Sequence, residues 1–60
     1  MIKARFKEGD VIRNQIWQDD WIIQKVCGFH YIAENVQTSI VEQLPIIPVD
    51  KHSRKVGEKA

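Results

Sequence analysis

Apolar and polar side chains alternate at the start of the chain. In residues 1–7 the apolar Ile2, Ala4 and Phe6 are separated by basic residues. A period of two is the signature of a strand with one buried face, so we expect a strand here. Gly9 follows in a short polar segment. We expect it to take a positive φ in a tight turn, which glycine does at no steric cost.

Short runs of β-branched and aromatic residues recur along the chain, and each run is bounded by turn residues. Runs of this length and composition predict strands. The predicted strands cover residues 11–17, 21–27, 30–34 and about 38–43. About four or five short strands separated by turns are typical of a small all-β antiparallel barrel.

The run at residues 21–27 is the clearest strand, but its two faces are similar in composition. Trp21 and Ile23 share one face. Ile22 and Val26 share the other face, and we expect this second pair to point inward. The first pair then lies at an end of the barrel or on a surface for a partner.

The segment from Val36 to Leu44 fits both a helix and a strand. Its apolar residues have helical spacing, but Pro45 ends the run too early for a stable helix, and residues 38–41 are rich in β-formers. We therefore favour a strand. Residues 45–50 contain both prolines of the chain. They predict an edge strand or a single 3₁₀ turn, because proline donates no hydrogen bond to a sheet.

The end of the chain has a different composition. Residues 51–60 contain few apolar side chains and several basic ones. This composition predicts a flexible, disordered basic tail. The expected organisation is a barrel over residues 1–50 followed by this tail, with no second domain.

Length and charge limit the function. The chain has 60 residues, and its 9 basic and 8 acidic residues give a formal net charge of +1. A chain this short buries only about 60% of its unfolded surface, so a deep enzyme cleft is not expected. The near-neutral charge argues against a protein that coats DNA, because phosphate neutralisation supplies most of that affinity. We expect a non-enzymatic protein.

The chain contains a single cysteine, Cys27, which excludes an internal disulfide and a cysteine-based zinc site. The sequence has no apolar run long enough to span a membrane, and residues 1–7 lack the apolar stretch of a signal peptide. We therefore expect a soluble protein in the reducing cytoplasm that has no membrane partner.

Two pairs of residues suggest chemistry. Asp19 and Asp20 are adjacent carboxylates, while Cys27 and His30 have a spacing that suits a metal ion. Adjacent strand residues point to opposite faces, so the carboxylates do not converge, and two ligands do not make a zinc site. We expect no catalytic residue, no metal and no cofactor.

Aromatic residues concentrate in the middle of the chain, and we predict that they form a partner-binding surface with basic residues at its rim. The residues of this predicted surface are Trp17, Trp21, Phe29, Arg13 and Lys25. Two tryptophans are more than a core this small readily hides, since each buries about 150–250 Å². Exposed tryptophans are typical of binding surfaces. The alternative is that these rings fill the core.

Basic residues support a second hypothesis, a nucleic-acid-binding surface. They form a row near the start of the chain and continue in the predicted tail. The residues of this row and tail are Lys3, Arg5, Lys7, Lys51, Arg54 and Lys55. Basic side chains track phosphates, and nearby aromatic rings stack on bases. The competing interpretation is edge protection, since lysines on an outer strand block aggregation.

The sequence resembles the SH3-like barrels of many small bacterial and bacteriophage modules. The resemblance rests on Phe6-Lys7-Glu8-Gly9-Asp10-Val11-Ile12, on Trp21-Ile22-Ile23-Gln24-Lys25-Val26 and on Tyr31. In those modules a Phe-x-x-Gly-Asp-x-Val/Ile segment opens the first long strand. The resemblance covers residues 5 to about 50. It implies the fold and leaves the function open, because unrelated functions share this scaffold.

Together these features suggest a module that docks on another protein, as an accessory protein, an inhibitor or a subunit of a small assembly. A homo-oligomer would also cover exposed apolar surface on so small a chain. The plasmid-type dihydrofolate reductases are similar barrels. Their Val-Gln-Ile-Tyr active-site run has no counterpart here, since Val36-Gln37 is followed by Thr38-Ser39.

Overall fold

The structure, a computed structural model, describes residues 3–59 and is mostly β. Its elements are β1 (Asp10–Asn14), β2 (Asp19–Cys27), β3 (His30–Asn35), β4 (Val41–Pro45), α1 (Ile46–His52) and β5 (Ser53–Glu58). The five strands form one antiparallel sheet in the order β4-β3-β2-β1-β5. The expected small antiparallel fold of short strands is confirmed, and a short helix precedes the last strand.

A single hydrophobic core lies between the inner face of the sheet, the helix and the segment before β1. The buried apolar side chains are Phe6, Ile12, Trp21, Ile23, Tyr31, Ala33, Leu44, Ile46 and Val49. Burial of apolar area stabilises a fold by about 25 cal/mol per Å², so this core is its main favourable contribution.

The expected orientation of β2 is wrong. Trp21 and Ile23 point into the core and are 4% and 1% exposed, whereas Val26 is 40% exposed. Ile22 is only partly buried. A bulge between Ile23 and Lys25 shifts the pairing with β3, and residues beyond it are exposed because a bulge bends the strand. Alternation defines two faces of a strand but does not determine which of them the rest of the chain will cover.

The proline-rich segment forms most of a helix, so the expected edge strand or 3₁₀ turn is also wrong. Pro45 occupies the N-cap of α1. Pro48 lies in the first turn, where backbone N–H groups have no partner within the helix, so its missing N–H is tolerated. Ile46 and Val49 lie one turn apart and are fully buried. Their packing stabilises a helix that is too short to form alone.

The expected disordered tail is not found in the described part of residues 51–60. Its first residues end α1, and Ser53–Glu58 form a strand that pairs with β1. Ser53 is buried, and its hydroxyl accepts a 2.9 Å hydrogen bond from the Asn14 amide. Composition misled here because an edge strand is held by backbone hydrogen bonds and needs few apolar side chains.

Residues 3–7 are not a strand, although their alternation correctly places Phe6 in the core and Ala4 against it. Ile2, the third member of the predicted apolar face, lies outside the described residues. The Phe6 N–H donates to the Tyr31 hydroxyl at 3.2 Å. A side chain of the sheet therefore holds this segment in place of a neighbouring strand.

The ambiguous segment after β3 ends in a strand, as favoured. β4 begins at Val41, later than the predicted start near residue 38. Residues 36–38 form a turn whose N–H groups at Gln37 and Thr38 donate to the Asn35 side chain. The local hydrogen bonds that asparagine offers therefore delay the strand.

Tyr31 joins the sheet, the helix and the N-terminal segment. Its fully buried side chain donates from the hydroxyl to Asp50 Oδ1 at 2.5 Å. The other carboxylate oxygen of Asp50 accepts the Arg5 N–H at 2.9 Å. Burial first, and the hydrogen bond to Asp50 second, raise the pKa of the Tyr31 hydroxyl well above its usual value. The hydroxyl therefore remains a donor over a wide pH range.

Gly9 has the expected positive φ, at +91°. Its N–H donates to the Ile23 carbonyl at 2.8 Å, and its carbonyl accepts the Lys59 N–H at 2.7 Å. These two bonds continue the pairing of β1 with both of its neighbours. Gly9 therefore directs the chain into the sheet between β2 and β5.

We expect Gly9→Ala to destabilise the fold by about 1–3 kcal/mol, because alanine is strained at this φ. The added Cβ would also lie 3.1 Å from the Lys59 carbonyl oxygen. Gly28→Ala is the control, since Gly28 has a φ of +61° with open space around its Cβ, and its loss should be only about 1 kcal/mol. Urea unfolding measures both variants. Equal losses would show that crowding at Gly9 adds nothing.

Deletion of residues 53–60 should abolish cooperative folding. Without β5, the backbone groups of β1 lose their partners on one side, and Asn14 loses the Ser53 hydroxyl. A domain of this size has only about 3–9 kcal/mol of stability in total. Circular dichroism against temperature measures the effect, with Arg54→Ala, an exposed change in the same strand, as the control. A truncated chain that melts like the full chain would contradict the role of β5.

Alkaline pH should destabilise the protein through Tyr31. The folded-state pKa of this hydroxyl is raised, so its contribution is complete below about pH 10, the unfolded value, and declines as the pH rises further. The expected slope is about 1.4 kcal/mol per pH unit. Because Tyr31 is the single tyrosine, tyrosinate absorbance follows it directly.

Ionisation of Tyr31 should coincide with unfolding when absorbance and circular dichroism are recorded together. Tyr31→Phe should lose this pH dependence. It should also lose about 1–3 kcal/mol at neutral pH, because Asp50 Oδ1 loses its donor and the Phe6 N–H loses its acceptor. Formation of tyrosinate near pH 10 in a protein that is still folded would refute the assignment.

Candidate partner-binding surface

Two turns lie at the same end of the sheet. Residues 15–18 connect β1 to β2, and residues 36–39 follow β3. The Val36 N–H donates to the Asp20 carbonyl at 3.0 Å. This bond joins the second turn to β2, the strand that follows the first turn. We call this part of the molecule the hairpin end, and its exposed large apolar side chains are Ile16, Trp17, Val36 and Ile40.

A buried asparagine builds the first turn. Asn14 Oδ1 accepts the N–H groups of Ile16 and Trp17 at 3.0 and 2.8 Å. The Asn14 carbonyl accepts the Gln18 N–H at 2.9 Å, and Gln18 has a positive φ of 57°. The N–H groups of residues 16–18 thus all donate to Asn14, which fixes the turn that carries Trp17.

The second turn repeats this arrangement. Asn35 Oδ1 accepts the N–H groups of Gln37 and Thr38 at 2.9 and 3.1 Å. The Asn35 carbonyl accepts the Ser39 N–H at 2.8 Å, and Ser39 has a φ of 62°. The Asn35 amide also donates to Asp19 Oδ2 at 3.1 Å. The sequence did not predict the side-chain hydrogen bonds of Asn14 and Asn35, although asparagine favours turn starts.

The two tryptophans have different roles. Trp21 is 4% exposed and belongs to the core, while Trp17 is 45% exposed. Their ring centroids lie 6.4 Å apart at an interplanar angle of 69°, an edge-to-face contact. The Trp21 ring is itself fixed by a 2.7 Å hydrogen bond from its Nε1 to Asp19 Oδ1. A buried ring therefore supports an exposed one, and of the two tryptophans only Trp17 is exposed to solvent.

Arg13 lies at the edge of the hairpin end and pairs with Asp20. Its Nε and one terminal nitrogen donate to the two carboxylate oxygens at 2.8 and 3.1 Å. This hydrogen-bonded pairing lowers the pKa of Asp20 and raises the pKa of Arg13. Both groups face solvent, so the pair contributes little to stability and serves mainly to orient the guanidinium.

Lys25 and Phe29 lie away from the hairpin end. Phe29 is 63% exposed in the turn at the opposite end of β2, and nine strand residues separate the two ends by about 25 Å. The Phe29 carbonyl accepts the Ile46 N–H at 2.9 Å, so this turn adjoins the start of α1. The five predicted partner-binding residues therefore do not form one continuous surface.

The predicted basic residues are also dispersed, and two of them are held by contacts within the chain. Lys55 pairs with Asp10 at 3.4 Å and with Glu58. The Arg5 guanidinium donates to backbone carbonyls of Asp50 and Ser53 and lies 4.9 Å from the centre of the Phe6 ring.

The other four basic residues do not line up as predicted. Lys3 and Lys7 are exposed but lie outside any strand, so no row forms on a sheet face. Lys51 lies in the last turn of α1. Arg54 lies opposite Arg13 in the pairing of β5 with β1.

The two residue pairs considered for catalysis and for metal binding are engaged in contacts within the fold. Asp19 accepts hydrogen bonds from Trp21 and Asn35, and Asp20 pairs with Arg13. Cys27 and His30 face each other across β2 and β3. Within residues 3–59 no three side chains are grouped so that they could hold a metal ion, and no pocket is present. No helix in the described part of the chain has the length and apolar character needed to cross a membrane.

Comparison with known proteins does not assign the chain to a family. No family model matches the chain, and no curated protein or solved structure matches it significantly.

Proposed function

We propose that this chain is a non-enzymatic module that docks on another protein through its hairpin end. The observation that carries the proposal is the exposed Trp17 ring, held edge-to-face on the buried Trp21. Tryptophan is enriched among the few residues that dominate binding energy in protein interfaces. Such residues are typically surrounded by contacts that exclude water, and the other exposed apolar side chains of the hairpin end fit that role.

Rigidity of the surface supports the same proposal. Binding is weakened when flexible side chains and loops must be ordered, so an already fixed surface binds more tightly. The Asn14 and Asn35 side chains each accept two backbone N–H groups and hold both turns in place. Trp17 is therefore presented on a turn that needs little further ordering.

The surroundings of Trp17 favour a protein partner over nucleic acid. Asp19 accepts a hydrogen bond from the Trp21 ring, and Arg13, at the edge of the hairpin end, is already paired with Asp20. Phosphate recognition needs cations that are free to replace counterions. The nucleic-acid hypothesis thus has less support at this end of the molecule.

We also propose a cytoplasmic accessory protein, inhibitor or subunit of a small assembly, of the bacterial or bacteriophage kind that the sequence resembles. The one cysteine, Cys27, is a free and exposed thiol. Secreted proteins of this size more often use paired cysteines as disulfides, so an unpaired thiol fits a reducing compartment.

Affinity capture from the source cell tests this function, with tagged wild-type chain and Trp17→Ala as bait. We expect Trp17→Ala to weaken capture of the partner by about 30-fold, the usual effect of removing a dominant tryptophan. Phe29→Ala is the matched control, since it removes a comparably exposed aromatic ring from the opposite end, and it should bind like wild type. Nuclease treatment should leave capture unchanged.

Folding of each bait is checked by thermal unfolding before capture. Trp17→Ala should remain folded, because losing one edge-to-face contact changes stability by only about 0.5–1.5 kcal/mol. Equal capture by wild type and Trp17→Ala would place the binding surface elsewhere. Capture that disappears with nuclease, or that falls steeply with added salt, would favour nucleic acid.

A further inference from the structure

Two arginines lie directly opposite each other on the solvent side of the sheet. Arg13 in β1 is the pairing partner of Arg54 in β5, and both side chains are exposed. Opposite residues in an antiparallel pair have Cα atoms about 4.5–5.5 Å apart, so their side chains interact, and like charges at such positions are destabilising. The sheet therefore carries two cations in an unfavourable arrangement.

A carboxylate compensates only one of these two charges. Asp20 lies on the other side of Arg13, in the pairing of β1 with β2, and accepts two hydrogen bonds from its guanidinium. These bonds use two of the five N–H donors that a guanidinium has. Among residues 3–59, Arg54 forms no salt bridge. Two arginines and one aspartate thus leave one positive charge without a counterion inside the fold.

Protection of the sheet edge does not explain this arrangement. β5 is an edge strand, and bulges and lysines are the usual means of blocking an edge. β5 already has both, a bulge in its pairing with β1 and the exposed Lys55. A second arginine opposite Arg13 adds repulsion to this. An anion bound between the two guanidinium groups reverses the repulsion, because each guanidinium is a strong donor to carboxylates.

The arginine pair lies next to the surface through which the chain is proposed to dock. We propose that Arg13 and Arg54 bind a carboxylate side chain of the protein that docks on the hairpin end, an inference that rests on the proposed function. Asp20 fixes the orientation of Arg13, and the unused N–H donors of both arginines receive the carboxylate. Asn14 follows Arg13 directly and builds the turn that carries Trp17. One partner therefore contacts both, with Trp17 as its apolar anchor and the arginines fixing its orientation.

The surroundings of the pair fit a single carboxylate better than a chain of phosphates. The next pair along the same face of β1 and β5 is Val11 with Gly57, and the residue of β2 opposite Val11 is Ile22. Val11 and Ile22 are half-buried, and none of these three residues carries a charge. Nucleic-acid binding needs cations that neutralise several phosphates in succession. One uncompensated charge beside apolar side chains matches one acidic residue on a protein surface.

Acetate probes the site itself, because it presents a carboxylate and no other charged group. In NMR spectra of the full chain, the side-chain Nε–H signals of Arg13 and Arg54 should shift together as acetate is added, relative to chloride at the same ionic strength. Half-saturation is expected at about 30 mM, the combined effect of two surface ion pairs. Arg54→Gln should weaken acetate binding, followed at the Arg13 signal, about fivefold.

Lys25→Gln is the matched control, because it removes an exposed cation of the same sheet that lies away from the hairpin end. It should leave acetate binding unchanged. Thermal unfolding should show that both variants are as stable as wild type, since both side chains are exposed and loss of Arg54 removes a like-charge contact. Equal shifts in acetate and in chloride would reduce the effect to ionic screening and overturn the proposal.

Affinity capture from the source cell tests the origin of the carboxylate, with Arg54→Gln, Lys25→Gln and Trp17→Ala as baits. Arg54→Gln should weaken capture of the partner about fivefold at low salt. The difference from wild type should shrink as salt is added, because surface ion pairs are screened. Lys25→Gln should capture like wild type, and nuclease should change neither result.

The baits separate this inference from the proposed function. Weaker capture by Trp17→Ala together with unchanged capture by Arg54→Gln would overturn the carboxylate site and leave the docking surface in place. The reverse result would support the carboxylate site and overturn the role of Trp17. An effect of Arg54→Gln that disappears after nuclease treatment would assign the site to phosphates of nucleic acid, against the proposal.

Discussion

The Tyr31 hydroxyl directly joins three parts of the chain that are far apart in sequence. It lies in the central part of the sheet, donates to Asp50 in the helix and accepts the Phe6 N–H from the N-terminal segment. A buried hydroxyl without partners would be strongly unfavourable, so both elements must return to the same point whenever the core forms. The hydrophobic core provides most of the stability, and this hydrogen-bonded group makes its closure specific.

The sequence predicted well the features that local chemistry decides. Alternation placed Phe6 in the core, the run at residues 21–27 is a strand, and Gly9 has a positive φ. Prediction from the sequence failed where a structural feature depends on contacts with a distant segment of the chain. Which face of β2 is inside depends on which face the rest of the chain covers, and β5 is ordered because β1 offers it backbone partners. Neither feature can be predicted from the composition of the segment itself.

The candidate site shows the same division. Exposure of at least one tryptophan followed from the size of the core, and Trp17 is indeed open. The grouping of Trp17 with Phe29 failed, because nearness along the chain does not imply nearness across a hairpin whose strands run the length of the sheet. The side-chain hydrogen bonds of Asn14 and Asn35 were not predicted, since the backbone groups that a buried asparagine binds are known only from the fold.

The repeated asparagine turns separate the requirements of folding from those of recognition. In each turn the asparagine and the positive-φ residue fix the path of the backbone, while the side chains between them face solvent. Substitutions at those intervening positions can therefore accumulate with little effect on the core. A lineage carrying this fold could change its partner by altering two short stretches of sequence, and an engineer could randomise the same stretches to select new binders from one scaffold.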